Sequence, residues 1–236
     1  MKKLKIIVTV AFIFQISSSF AGAEDDPFIS KFMFNRFEYR NADEDNPFVL
    51  SGQYWFGHDL KKLWIKTEFE RNNGETEKAE IQALFSRAIA PYWDFQMGVR
   101  SDLGIDNLTN RNWAVFGFQG LAPYYFEIDT AFFIGENGRT ALRVDAEYEI
   151  LFTQKLILTP EIEVNFHGKN DPEIQVGSGL SDSEIGIRLR YEIRREFAPY
   201  IGIVKSNKFG KTADYLQLDE QVSSDTQFVF GIRAWF

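Results

Sequence analysis

The side chains of this 236-residue chain that could hold a soft or borderline transition metal are few. After the initial Met1 they are Met33, Met97, His58 and His167, two thioethers and two imidazoles, with no cysteine to join them. Thioether sulfur suits soft ions and imidazole nitrogen borderline ones, but no two of these residues are close in sequence. Met97 shares the parity of Trp93, Phe95 and Val99, the oily side of its segment, whereas Met33 opposes the parity of Phe32 and Phe34. His58 falls in a short turn and His167 opens a long connection.

Acids and bases form a larger set with a regular spacing. Arg143, Asp145, Glu147 and Glu149 alternate with Leu142, Val144, Ala146, Tyr148 and Ile150. Glu161 and Glu163 alternate with Ile162 and Val164, and Glu184, Arg188, Arg190 and Glu192 alternate with Ile185, Ile187, Leu189 and Tyr191. Period two is the signature of a strand with unlike faces. Such charges either face water on a soluble sheet or line a closed interior, where acids and arginines of adjoining strands must pair because an unpaired buried charge is costly. With Asp129, Arg100 and Arg233 added, an interior of this kind is either a paired ladder that plugs a lumen and fixes register, or a narrow polar path with a weak cation site. His167 with Ser178 or Ser181 and Asp171 or Asp182 can be drawn as a hydrolytic triad. All of these residues sit in one connection, and no strand-turn-helix elbow surrounds either serine, so the chain reads as non-enzymatic.

The elements that must position these residues are strands. Twelve segments of about ten to twelve residues follow one another, and none carries a helical apolar stripe. They fall near 30–40, 47–57, 61–71, 77–88, 91–101, 112–121, 123–135, 139–151, 155–166, 183–194, 197–207 and 226–236. Connections after odd-numbered strands are mostly long and polar, as at His167 to Asp182 and Lys208 to Asp225. Those after even-numbered strands are short, as at Ile89–Ala90 and Arg195–Glu196. That rhythm, with both ends of the chain on the short-turn side, predicts an all-β transmembrane antiparallel up-and-down barrel of about twelve strands. The last ten residues agree: Phe228, Phe230, Ile232, Ala234 and Phe236 form one oily parity, so the terminal strand closes the barrel against residues near Phe32 to Tyr39. Aromatic clusters at Tyr54-Trp55-Phe56, Tyr92-Trp93, Tyr124-Tyr125-Phe126 and Trp235-Phe236 are expected to form an interfacial girdle.

Lys2, Lys3 and Lys5 followed by the apolar run Ile6 to Ile16 and small residues near Ala21 predict a cleaved signal peptide over residues 1–23. A short acidic segment, 24–30, then leads into the barrel, 31–236. Cleavage would move the formal charge from −8 to about −11, which excludes nucleic acid as a partner. The address is the bacterial outer membrane, with its lipid and the barrel-assembly machinery as the first partners.

Several stretches resemble the copper resistance protein B family of outer-membrane proteins. They include Ser86-Arg87-Ala88-Ile89-Ala90-Pro91-Tyr92-Trp93-Asp94, Gly117-Phe118-Gln119-Gly120-Leu121-Ala122-Pro123-Tyr124 and Gly177-Ser178-Gly179-Leu180-Ser181-Asp182. Arg188-Leu189-Arg190-Tyr191-Glu192-Ile193-Arg194-Arg195-Glu196-Phe197-Ala198-Pro199-Tyr200 adds a longer match. The likeness runs from about Gly52 to Phe236. It implies a role in copper resistance and copper ion homeostasis, with a copper ion as the species bound or limited and a periplasmic copper-handling protein as a candidate partner. Members of that family often carry a Met- and His-rich segment ahead of the barrel. Here Gly22 to Ser30 is acidic and holds neither residue type, so the alternative is a structural or porin-like barrel without its own copper site.

Overall fold

The computed structural model describes residues 26–41, 46–72, 75–104 and 110–236. The expected signal peptide, and residues 24 and 25 of the acidic segment, lie outside them. Every long segment with period-two patterning is a strand. In chain order these are β1 (Ile29–Asn41), β2 (Phe48–His58), β3 (Lys61–Asn72), β4 (Glu75–Ala90), β5 (Trp93–Asp102), β6 (Arg111–Ala122) and β7 (Phe126–Gly135). Then come β8 (Thr140–Glu147, resumed at Ile150–Leu151), β9 (Leu156–His167), β10 (Gly179–Tyr191), β11 (Phe197–Lys208) and β12 (Ser224–Trp235). Each pairs antiparallel with its sequence neighbours, and β12 pairs back onto β1, from Met33 opposite Trp235 to Asn41 opposite Phe228. Among the described residues closure leaves no strand edge unpaired, which is what a hydrocarbon surround demands.

The interruption of β8 has a local cause. Glu147 faces Glu161 and Ile150 faces Leu158 in one continuous register, which puts Pro160 opposite Tyr148. Proline has no N–H to give its partner, so the ladder lapses there while the strand runs on.

The outer wall is apolar: Phe85, Val99, Phe116, Phe118, Ile185, Ile187, Ile201, Phe228 and Phe230 are all exposed. Among the described residues no helix is long and apolar enough to cross a membrane. At the short-turn end Tyr92, Tyr124 and Tyr125 project outward, 75–82% exposed, from turn positions with positive φ. Trp55 departs from the expected girdle. It faces inward, its ring 5.9 Å from that of the buried Trp64, because the pleat that sends Tyr54 and Phe56 outward sends their neighbour in.

Among the irregularities that were not expected, two bear on the lumen and its mouth. β1 carries a bulge: Phe34 faces Gly52 and Arg36 faces Ser51, so Asn35 is an extra residue. The connection between β11 and β12 also contains a helix, α1 (Gly210–Leu218), where the sequence shows no helical stripe.

Candidate functional site in the charged lumen

The inward parities of β7 to β10 bring acids into register rather than into alternation with bases. Glu127 faces Glu147, which faces Glu161. One step toward the long loops, Asp129 faces Asp145, Asp145 faces Glu163, and Glu163 faces Glu184. Like charges directly opposite on a sheet repel, so both rows require cations from elsewhere.

Adjoining strands do pair, as Lys78 does with Glu68 at 2.8 Å, but many of those cations come from across the lumen, which the expectation of pairing between adjoining strands did not include. Arg36 on β1 donates to Glu161 at 3.1 Å and to Glu184 at 3.5 Å. Lys66 on β3 donates to Asp129 at 2.6 Å. Arg143 on β8 donates to Glu80 on β4 at 3.0 and 3.1 Å, and Glu80 also binds Arg100 at 2.9 Å. The reason is geometric: in so small a barrel a guanidinium on a long stem reaches the opposite wall, where its fork meets a carboxylate that has no basic neighbour in its own row.

A second network fills one side of the long-loop half. Glu38, fully buried, accepts from Arg40 at 2.8 Å, from Arg188 at 2.7 and 3.1 Å, and from the Tyr200 hydroxyl at 3.0 Å. Arg40 continues to Glu184 at 2.7 and 3.0 Å, and Arg188 also donates to Glu161. Gly231 is required beside it, since a β-carbon there would lie 2.6 Å from the Tyr200 hydroxyl. On the other side Trp113, Val115 and Phe133 are buried together, with the Arg100 and Arg143 guanidinium groups 4.6 and 5.6 Å from the Phe133 ring. The Trp113 indole donates to Asp102 at 2.8 Å.

Between these fillings and the short turns lies a cavity of about 490 Å³. Its lining carries eight acids, Glu68, Glu80, Glu127, Asp129, Asp145, Glu147, Glu161 and Glu163, against six bases, Arg36, Lys66, Arg143, Arg188, Arg190 and Arg233. Arg233 lies 3.5 and 3.4 Å from Glu147 and Glu149, and Arg190 lies 2.7 Å from Glu149 and 3.5 Å from Glu192. Thus Arg143, Asp145, Glu147, Glu161, Glu163, Arg188 and Arg190 share one chamber, and Glu192 touches its edge through Arg190. Arg36, Lys66, Glu68 and Glu80 join them from β1, β3 and β4, and Glu38 and Arg40 of β1 pack above the chamber through Arg188 and Glu184; the alternation on these three strands is not what reveals them. Phe37 and Tyr39, which restart the outward aromatic parity beyond Asn35, are the signal for Arg36, Glu38 and Arg40 instead.

The four soft or imidazole candidates are dispersed. Met33 lines the cavity at the short-turn end. His58 ends β2, with its Nδ1 2.9 Å from the Asp26 carbonyl and its ring edge-on to Phe28. Met97 lies on the outer wall, 42% exposed. His167 ends β9 at the opposite mouth, its Nδ1 3.0 Å from the Ser181 hydroxyl. Among the described residues no three His, Cys, Asp or Glu side chains converge on a metal position. The Ser181 hydroxyl also meets Asp182 at 2.7 Å and the Asn165 carbonyl at 3.0 Å. The acid therefore contacts the serine rather than the imidazole, and the serine is fully buried. In a triad the acid orients the base; this arrangement pins the end of β10 instead.

Comparison with known proteins adds the family. A family model described as copper resistance protein B precursor (CopB) matches residues 28–236. The copper resistance protein B of Escherichia coli is 44% identical over 204 residues, covering 86% of this chain and 68% of that protein. A homolog in Pseudomonas syringae pv. tomato (strain ATCC BAA-871 / DC3000) is 42% identical over 212 residues, covering 90% and 71%. Among solved structures, the NanC porin superposes with a TM-score of 0.58 at 11% identity, covering 87% of this chain and 99% of the porin. The KdgM porin gives 0.55 at 12% identity, covering 88% and 99%. At such identities these two likenesses concern the fold alone.

Proposed function

The chain belongs to the copper resistance protein B family, and from that premise we propose that it supports copper tolerance from the bacterial outer membrane, without chemical turnover, by holding or limiting copper ions in its lumen. The observation that carries this reading is the family match across the whole barrel, lumen walls included. The chamber supports it: two registered rows of carboxylates give the lining an acidic excess, and excess acid in a low-dielectric chamber draws cations. Met33 is the one thioether on the cavity wall and would favour a reduced copper ion there.

In this reading the short turns face the periplasm and the long loops face outward, so the cavity takes ions from the periplasmic half, where a copper-handling protein would deliver or remove them. The dispersed positions of His58, Met97 and His167 favour a second reading, a porin-like barrel without its own copper site. Growth of a strain lacking the protein, compared across copper concentrations with its parent, tests the first reading: tolerance should fall, and unchanged tolerance sinks it. Equilibrium copper binding by the refolded barrel separates the two, with binding weakened by Met33→Leu expected for a lumen site and no binding expected for the porin-like barrel.

A further inference from the structure

The connection between β9 and β10 does not stay over its own strands. It runs from Gly168 to Ser178 and places Asp171, itself only 8% exposed, against Arg111 at the start of β6. The Asp171 carboxylate accepts from Arg111 Nη1 at 2.5 Å and Nη2 at 3.3 Å. Arg139, in the connection between β7 and β8, brings its Nε to 2.8 Å of the same carboxylate, an ion-pair contact without hydrogen-bond alignment. To reach Arg111 the loop passes β8 and β7, so it leans over the long-loop mouth. A tight antiparallel bridge between Asp171 and Val176 stiffens its tip.

The other long loop is fastened to the same tip. Gly177 N–H donates to the buried Thr212 hydroxyl on α1 at 2.9 Å, and Gln175 donates to Asp219 just beyond the helix. A β-carbon on Gly177 would come within 2.5 Å of Lys211, so the approach of loop to helix depends on glycine. Phe209 N–H donates to the Ser181 carbonyl at 2.9 Å, which holds the start of the helix at β10. Asp171 thus ties the 168–178 loop to β6 and to the β7–β8 connection, while Gly177 and Gln175 tie the same loop to α1.

We propose that Asp171 is the latch of a gate, formed by the 168–178 loop and α1, that closes the long-loop mouth above the cavity. An ion pair joining a loop to the end of a strand can be broken and remade, unlike the β ladder beneath it. The gate is independent of which solute the lumen handles.

A cysteine probe tests it, because the chain has no cysteine of its own. Val115, 1% exposed, lies inside the barrel one inward position below Trp113, and Val115→Cys changes little in size. In detergent-solubilised protein, labelling of this thiol by a water-soluble maleimide should be slow with the latch intact. It should quicken roughly tenfold or more in Asp171→Asn, a low figure for the loss of charge from a buried pair. Glu173→Gln, a change to the 68% exposed neighbour that also touches Arg111, should leave the rate alone. Heat-modifiable migration on gels confirms a folded barrel; if Asp171→Asn does not fold, Arg111→Lys, which keeps the charge and loses the fork, takes its place with the same expectation. Unchanged labelling in a folded latch variant overturns the gate, as does an equal rise with Glu173→Gln, which would mean that any charge change loosens the loop.

Discussion

Glu38 is the residue on which the lumen's order most depends. It is fully buried and is held by two arginines and a tyrosine. Glu38→Ala would leave Arg40 and Arg188 facing a void, and stripping one partner from a buried ion pair costs about 3–5 kcal/mol. Glu173→Ala, at a 68% exposed carboxylate, should cost under about 1 kcal/mol. Urea titration of the refolded barrel reads both, and equal losses would show that burial does not govern these pairs. The sequence revealed Arg188 because it lies in an unbroken alternation. It hid Glu38 and Arg40, because counting by twos from Phe32 and Phe34 places both on the oily side, and only the extra Asn35 returns them to the lumen.

That bulge makes a statement about a whole element. Register in a two-faced sheet is set by which parity is oily, and a slip of one residue exchanges the faces of everything beyond it. Asn35 is the residue out of step, so its deletion should leave β1 regular, with Arg36, Glu38 and Arg40 still inward, and the protein should still migrate as a folded, heat-modifiable barrel. Deleting Ile65 in β3, where Trp64 to Phe69 pair with β4 without a shift, should turn half of that strand inside out and abolish folding. If both deletions fold, or neither does, the bulge is not what sets the parity of β1. Strand number, order and closure were legible because each strand has its own oily parity. The helix α1 was not, since its sequence, Gly-Lys-Thr-Ala-Asp-Tyr-Leu-Gln-Leu, has no apolar stripe and it forms only where Phe209 and Thr212 anchor it to β10 and the neighbouring loop. The cross-lumen pairs were hidden for a related reason: alternation tells which side a charge takes, but not which strand stands opposite.

At the scale of the molecule, the acidic rows set stability against use. A barrel selected only for stability would place a base within each row, since like charges directly opposite destabilise a sheet by up to about 1 kcal/mol. Here Glu127 stands opposite Glu147, and Asp145 lies between Asp129 and Glu163; among the described residues no cation comes within ion-pair distance of either Glu127 or Asp145. Replacing both, as Glu127→Gln with Asp145→Asn, removes the two-charge acidic excess of the cavity lining and relieves three repulsive contacts. The double variant should therefore be more stable than its parent, by about 0.5–2 kcal/mol in urea titration. If the excess charge serves to gather cations, the same variant should restore copper tolerance less well than the parent when supplied to a strain lacking the protein. A variant that is both more stable and fully protective would show the acids to be idle in copper handling, and one that is less stable would show that cross-lumen arginines already balance the rows. Greater stability with poorer protection is the outcome expected of a chamber whose charge is kept for a task other than holding the barrel together.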